Sequence, residues 1–451
     1  MAGQIISLIG IIISIVFFSW SIYKGLGLVP ASLITSLIVI VTSGLNVMEA
    51  WNTGIGDAVI PMITGVCGVY IFGGLLGFMY SKSGAATAIA KTLFAPLRKI
   101  QNYTLKLVCY IVMMFVIRTL LAVAGIDAMA AMFILIGIII MAFKDLDISR
   151  SYINCVLIAA TTLTYYIPYI PYESNVWIPI FMDGFTAGSM AGVRCIIIVL
   201  FIIGTLFVLM RSISKDRKNG TCHFDPGNME DFETEEEGKK YPNFFVTLIP
   251  LVIIIVLYNF FSFEAWLSTA CGFVAAVILF YRNLDFSKEK DAEGRSKFSS
   301  FIEHCNTNSM IIPLYMAFAM LPGGIMTMTS GYQLIITLCE RMVNVMPPAL
   351  GFGIVSILIS ASGQSAFYVL IDLANQVFIP AGLTAGVAGT LVIVGSTVFD
   401  TLPNHPGMIM QAKLTDVPMK VCYPSIFKTT VILTTILTIV TAVLFTVGIA
   451  F

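Results

Sequence analysis

The chain has 451 residues, of which 58% are hydrophobic and 11% charged, and its 25 basic side chains balance 25 acidic ones. A soluble domain carries roughly 25% charged residues, so this chain has too little polar surface to face water all round. Zero net charge gives no case for nucleic acid or an acidic partner.

Apolar runs near the ~20 residues that cross a bilayer recur from Ile5 to Phe451, which predicts an all-α polytopic membrane protein. The first run, Ile5–Tyr23, has no basic residue before it and no small-residue cleavage pattern after it, so it reads as a retained span. The elements that follow are 26–44, 57–80, a two-armed segment 105–143, 152–188 and 190–210. After a polar stretch come 242–262, 264–281, 307–328, a second two-armed segment 348–380, 382–411 and 426–450. Residues 211–241, with the run Glu235-Glu236-Glu237, and 282–300 read as solvated loops.

With the N-terminus outside, every Lys and Arg except Arg341 falls on the inner side of these spans, apart from Arg118 and Arg194 inside apolar segments. The positive-inside rule therefore puts both termini outside the cytoplasm. The first two-armed segment then enters and leaves on the inside, the second on the outside. Two spans of ~20 residues plus a turn do not fit into 348–380, so a re-entrant hairpin is predicted there.

Residues 1–211 thus form about five spans and one hairpin, with a broken helix after the hairpin. Residues 212–241 are a cytoplasmic linker, and 242–451 repeat the order upside down. A sequence echo accompanies this inverted repeat. Gly73-Gly74, Ser83-Gly84 and the amphipathic stretch Ala85–Leu97 recur as Gly323-Gly324, Ser330-Gly331 and Tyr332–Val343.

The chemistry is expected at the interruptions. Pro168 and Pro171 break the fifth element of the first half, beside Glu173, Ser174 and Asn175; its counterpart runs through Thr397, Asp400, Asn404, His405 and Pro406. A broken helix frees N–H groups that suit an anion and C=O groups that can hold a cation. The hairpin tips, Gly125 with Asp127 and Ser362-Gly363-Gln364-Ser365, add close backbone approach and polar partners. Gly125, Asp127, Glu173, Ser174, Asn175, Ser362, Gly363, Gln364, Ser365, Thr397 and Asn404 are the candidate substrate ligands. Asp400, His405 and Glu173 are the candidates for ion coupling.

Arg118 could counter a substrate carboxylate or cancel Asp127, and Asp372 reads as an interfacial acid. Trp177 and Trp266 are expected to anchor at the membrane surface. The nine Cys are scattered and the three His far apart, so no metal site and no cofactor is expected. No His-Glu-x-x-His or comparable nucleophile–base pattern supports an enzyme.

At these residues the chain resembles the gluconate permease family of the ion transporter superfamily. The likeness rests on Gly73-Gly74-Leu75-Leu76-Gly77 leading to Ser83-Gly84 and Ile89-Ala90-Lys91-Thr92-Leu93, on Ser362-Gly363-Gln364-Ser365, and on Asn404-His405-Pro406-Gly407. It implies a symporter in a bacterial inner membrane, taking up sugar acids or hydroxy acids with protons. It also implies a homodimer in which hairpin-bearing transport domains move against a scaffold, as in an elevator. The chain departs from the family at Tyr172-Glu173-Ser174, where a His-Pro-Gly-like motif is usual, around Val123, where the first tip lacks an acid, and before the second tip, where an Arg is absent. The substrate is therefore left as a small organic anion. A Na⁺-coupled carboxylate or amino-acid transporter and a passive channel are the alternatives.

Overall fold

The computed structural model describes residues 2–126, 128–225, 241–283, 314–315, 317–363, 365–402, 408, 411–412, 415 and 417–451. Within them every regular element is helical. Among the described residues, six helices are long and apolar enough to cross a membrane, from Ala2–Tyr23 to Met419–Thr446. The chain is an all-helical polytopic membrane protein.

Its faces are arranged for lipid rather than water. Helix α1 (Ala2–Tyr23) exposes Ile5, Ile9, Ile12 and Val16 while burying Ser7, Gly10 and Ser14. It packs on α2 (Leu28–Ser43), which buries Ala31, Ser32, Thr35 and Ser36. Large side chains face outward and small ones mediate contact, because lipid tails remove the hydrophobic drive to hide Ile and leave close packing as the source of cohesion. At Gly10 the approach is closest: a Cβ there would lie 2.0 Å from Thr42 Oγ1.

The third span starts earlier than predicted. Asn46 accepts hydrogen bonds from the Met48 and Glu49 amides and so caps α3 (Val47–Gly54). This helix runs through a π turn, Ile55–Val59, into α4 (Ile60–Lys82). Gly84, with φ +75°, turns the chain into α5 (Ala85–Phe94). The first two-armed segment is α6 (Tyr103–Val123) and α7 (Ala128–Leu146). At 21 and 19 residues its arms are each about 30 Å long, enough to cross a hydrocarbon core. Next come α8 (Ile153–Tyr166), α9 (Ser174–Phe181) and α10 (Ala191–Lys218).

Helix α10 corrects the predicted boundary at 211, since it continues through Arg211–Lys218. Lys and Arg are good helix formers, and positive charge at a helix C-terminus complements the backbone dipole. Residues 219–225 then fold back over the turn after α7. Asp147 accepts from the Phe224 amide at 2.9 Å and lies 3.0 Å from His223 Nδ1. Residues 226–240, which contain the acidic run, lie outside the described residues, as do 284–313.

The later elements are α11 (Phe244–Asn259), α12 (Ala265–Phe280), α13 (Ala317–Met326) and α14 (Ser330–Val343). The second two-armed segment is shorter: α15 (Pro348–Ile359), a 3₁₀ turn Ser360–Ser362, then α16 (Ser365–Leu373) extended by a π turn Ala374–Phe378. Helix α17 (Ala385–Ser396) precedes α18 (Met419–Ile426), a π turn Phe427–Ile432 and α19 (Leu433–Thr446).

The echoed glycines make equivalent contacts. A Cβ at Gly73 would strike the Gly125 carbonyl oxygen at 1.9 Å, and one at Gly323 would meet the Ser365 carbonyl oxygen at 3.0 Å. Each glycine therefore seats a two-armed tip. Gly84 lies against Tyr241, just ahead of α11, and Gly331 lies against Ser7 and Leu8 of α1, with its amide donating to Ser7 Oγ at 3.0 Å. Correspondingly, α1 packs on α14 and α11 packs on α5.

Replacing Gly10 by Leu should separate α1 from α2 and cost about 1–3 kcal/mol of stability, read as a lower melting temperature in detergent; an unchanged value would mean the pair is not tightly packed. The Phe224 amide and His223 hold the Asp147 carboxyl below its ordinary range. Because that pKa is depressed, the clasp is complete above the ordinary carboxylate value and is lost as pH falls through the lowered one. Hydrogen-exchange protection at Phe224 should accordingly persist at pH 5 and drop only once the pH falls below the ordinary carboxylate range, and Asp147→Asn should abolish the drop.

Candidate functional site

The first predicted break is present. Helix α8 ends at Tyr166; Ile167, which precedes Pro168, is extended at φ −72°, ψ 121°, as a residue before proline prefers. The chain then passes Tyr169 at φ +62° and Glu173 at φ +34°, left-handed conformations that are strained for residues with a Cβ, before α9 begins at Ser174.

Such a stop strands the last carbonyls of α8 in an apolar interior, and one buried arginine receives them. Arg194, on α10, donates from Nε to the Tyr166 carbonyl at 3.0 Å and from Nη2 to that of Ile167 at 2.9 Å, while Nη1 reaches Ala187 at 3.0 Å. Asn175 completes the staple. Its Oδ1 accepts from Arg194 Nη2 at 2.8 Å, and its Nδ2 donates to the Ile167 and Ile170 carbonyls, both at 2.9 Å. Ser174 Oγ donates to the Tyr165 carbonyl at 2.9 Å. Asn175 and Ser174 are thus committed to the chain's own backbone. Arg194 was recognised in sequence only as a charge in an apolar run, since its acceptors are carbonyls assembled by the fold.

The two breaks touch. The Tyr166 hydroxyl, at the end of α8, lies 2.7 Å from Thr397 Oγ1, just past α17. Tyr165 lies within electrostatic reach of both Glu173 and Asp400. The two carboxylates assigned to opposite breaks therefore share one neighbour. Within the second break, Thr401 Oγ1 lies 2.6 Å from Thr430 Oγ1 in the π turn after α18. Asn404 and His405 lie outside the described residues.

Arg118 joins the first arm to this region. Its side chain is fully buried, its guanidinium stands 4.9 Å over the Tyr172 ring, and Nη2 donates to the Tyr172 hydroxyl. Its Nε and Nη1 have no hydrogen-bond partner, and no carboxylate lies within ion-pair distance among the described residues. Leaving a buried charge without a counter-charge costs several kcal/mol.

The tips are seated separately. Gly125, at φ +70°, packs on α4 and against Thr269 of α12. In the second tip, Gly363 at φ +66° faces Phe18 of α1, Ser362 Oγ donates to the Ile359 carbonyl at 2.8 Å, and Ser365 Oγ donates to the Ala319 carbonyl at 2.7 Å. No hydrogen bond joins one tip to the other among the described residues, which exclude Asp127 and Gln364. Asp372 lies away from both breaks, accepting from the Tyr332 hydroxyl at 2.6 Å and Gln376 Nε2 at 2.7 Å. Trp177 corrects an expectation. It is fully buried, edge-on to Phe367 at 5.2 Å, so it packs α9 against α16 instead of anchoring at a surface. Trp266 is 42% exposed and donates to Glu264.

No protein-family model matches the sequence, and no curated protein matches it.

Asn175→Ala should take one donor from each of the Ile167 and Ile170 carbonyls, which keep Arg194 Nη2 and the Tyr172 amide, and remove one acceptor of Arg194. At ~0.5–1.5 kcal/mol for each of the two neutral hydrogen bonds and ~1.5–3 kcal/mol for the one from the guanidinium, thermal unfolding should show a loss of about 2.5–6 kcal/mol. A variant as stable as the parent would show that the break does not depend on this staple.

Proposed function

We propose that the chain is a secondary active transporter, a symporter that takes up a small organic anion such as a sugar acid or hydroxy acid. The observation that carries this reading is Arg118: a fully buried guanidinium with two nitrogens that have no partner among the described residues, beside the break that follows α8. A cation kept dry at such a cost fits a site that receives an anion during the cycle. A carboxylate matches its donor fork in a way water cannot, and the Tyr172 ring holds the guanidinium in place.

The architecture proposed is a pair of inverted repeats, 1–211 and 242–451, each with a hairpin and a broken helix. Support comes from the matched environments of Gly73 and Gly323, and of Gly84 and Gly331, together with the reciprocal packing of α1 on α14 and α11 on α5. In this reading the first hairpin has longer arms than the second. Substrate would meet the breaks and tips through Arg118, Glu173, Thr397, Ser362 and Gly363, with Ser174 and Asn175 holding the first break in shape. Asp400, His405 and Glu173 would carry the coupling proton, with Na⁺ at the freed carbonyls as the alternative. The resemblance to gluconate permeases further suggests a homodimer in a bacterial inner membrane with elevator-type access, both termini extracytoplasmic, and transport rather than catalysis.

The test is uptake into proteoliposomes of a panel of small carboxylates and sugar acids, under an imposed pH gradient and with or without Na⁺. We expect concentrative uptake of at least one anion, with Arg118→Gln lowering its rate about a hundredfold, the scale of a buried charge-assisted contact worth ~2–5 kcal/mol. Flux that never exceeds the external concentration would replace the symporter by a passive pore. Wild-type uptake in an Arg118→Gln/Asp127→Asn double variant would reduce Arg118 to a countercharge for Asp127.

A further inference from the structure

Helix α10 carries a second feature that the transport reading does not use. At 28 residues it is about 42 Å long, so it outreaches a ~30 Å hydrocarbon core by about eight residues. Counted from the Ala191 end, those are the residues from Arg211 to Lys218. Along the helix, Ile196, Val199, Leu200, Ile203 and Phe207 form one exposed apolar stripe, with Phe207 65% exposed. Successive steps of three and four residues continue that stripe onto Arg211, Ser214, Lys215 and Lys218, which with Asn219 line an open cleft of about 400 Å³.

The other charges of this segment are already engaged, on different faces. Asp216 accepts from the Tyr152 hydroxyl at 2.6 Å, and the Arg217 guanidinium stacks 3.7 Å over the Tyr103 ring. Arg211, Lys215 and Lys218 have no ion-pair partner among the described residues. An apolar track that ends in three cations at headgroup depth has the polarity of a phospholipid with an acidic head. Its acyl chains would follow the track, and its phosphate would meet the cations, hydroxyl and amide.

We propose that this cleft is a binding site for an anionic phospholipid, the acyl chain lying along Val199, Ile203 and Phe207 and the phosphate held by Arg211, Lys215 and Lys218. Juxtamembrane basic clusters draw acidic headgroups by just this attraction, and a ligand that binds the folded state raises its stability with occupancy.

Detergent-solubilised full-length protein, titrated with phosphatidylglycerol or phosphatidylcholine while thermal unfolding is followed, tests the site. Phosphatidylglycerol should stabilise with a midpoint at least tenfold lower than phosphatidylcholine. The preference should vanish in Arg211→Gln/Lys215→Gln/Lys218→Gln, persist in Lys215→Arg/Lys218→Arg, and weaken in high salt. Equal preference in the triple Gln variant would overturn the assignment. So would inorganic phosphate reproducing the shift at millimolar concentration, which would make the site one for a soluble anion. A preference that appears only after Glu235, Glu236 and Glu237 are changed to Gln would mean that the chain's own acidic run fills the cleft, and would also overturn it.

Discussion

A helix that stops inside an apolar interior abandons carbonyl groups that no water can reach, and everything at this centre depends on how those groups are received. Arg194 receives them with Nε and Nη2 while its Nη1 holds the Ala187 carbonyl, and Asn175 bridges it to the far side of the break. The arrangement turns an expensive interruption into a rigid one. It fixes Tyr165 and Tyr166 at the end of α8 and Tyr172 and Glu173 in an irregular segment whose backbone includes two left-handed residues. From there the Tyr166–Thr397 contact passes the same rigidity to the second break. Non-helical backbone survives at this depth only under protein cover, and Tyr165, Tyr166 and Tyr172 are all buried.

Two buried arginines at one break perform opposite tasks. Arg194 is saturated by neutral carbonyl dipoles, so its charge is spread over a fixed set of acceptors. Arg118 has one tyrosine and an aromatic face, with most of its donor capacity unspent. A residue of the first kind builds shape; one of the second kind keeps a demand open. Burial alone would not have told them apart, because both are fully enclosed. The difference lies in where the donors point.

Much of this organisation is legible in the sequence, for identifiable reasons. Apolar length announces the spans, and Pro168 and Pro171 announce the first break, because a ring without an N–H cannot continue a helix. The Gly73-Gly74 and Gly323-Gly324 echo gave no hint of its cause until Gly125 and Ser365 were found pressed against those glycines. Other features are hidden because they depend on three-dimensional partners. Arg194 looks like a misplaced charge until the carbonyls of α8 surround it. Trp177 looks like a surface anchor until Phe367 closes over it. The charges after Arg211 resemble a solvated loop, yet they extend a helix whose C-terminal dipole favours them. Asp127, Gln364, Asn404 and His405 fall outside the described residues, so their share in the site rests on the sequence pattern alone.

The π turn at Ile55–Val59 sets a phase relation within the third span. A π turn accommodates one residue more than the α-helical ladder would, and each residue advances the face by about 100°. Residues Val47–Gly54 and Ile60–Lys82 are therefore clocked against each other by that single insertion. Gly54, ahead of the turn, meets Ile325, whereas Gly73, beyond it, meets the Gly125 carbonyl. Both appointments are kept only while the extra residue stays in place. Deleting one residue between them would leave the helix intact but rotate one glycine out of its socket, so the span's residue count is itself part of the design.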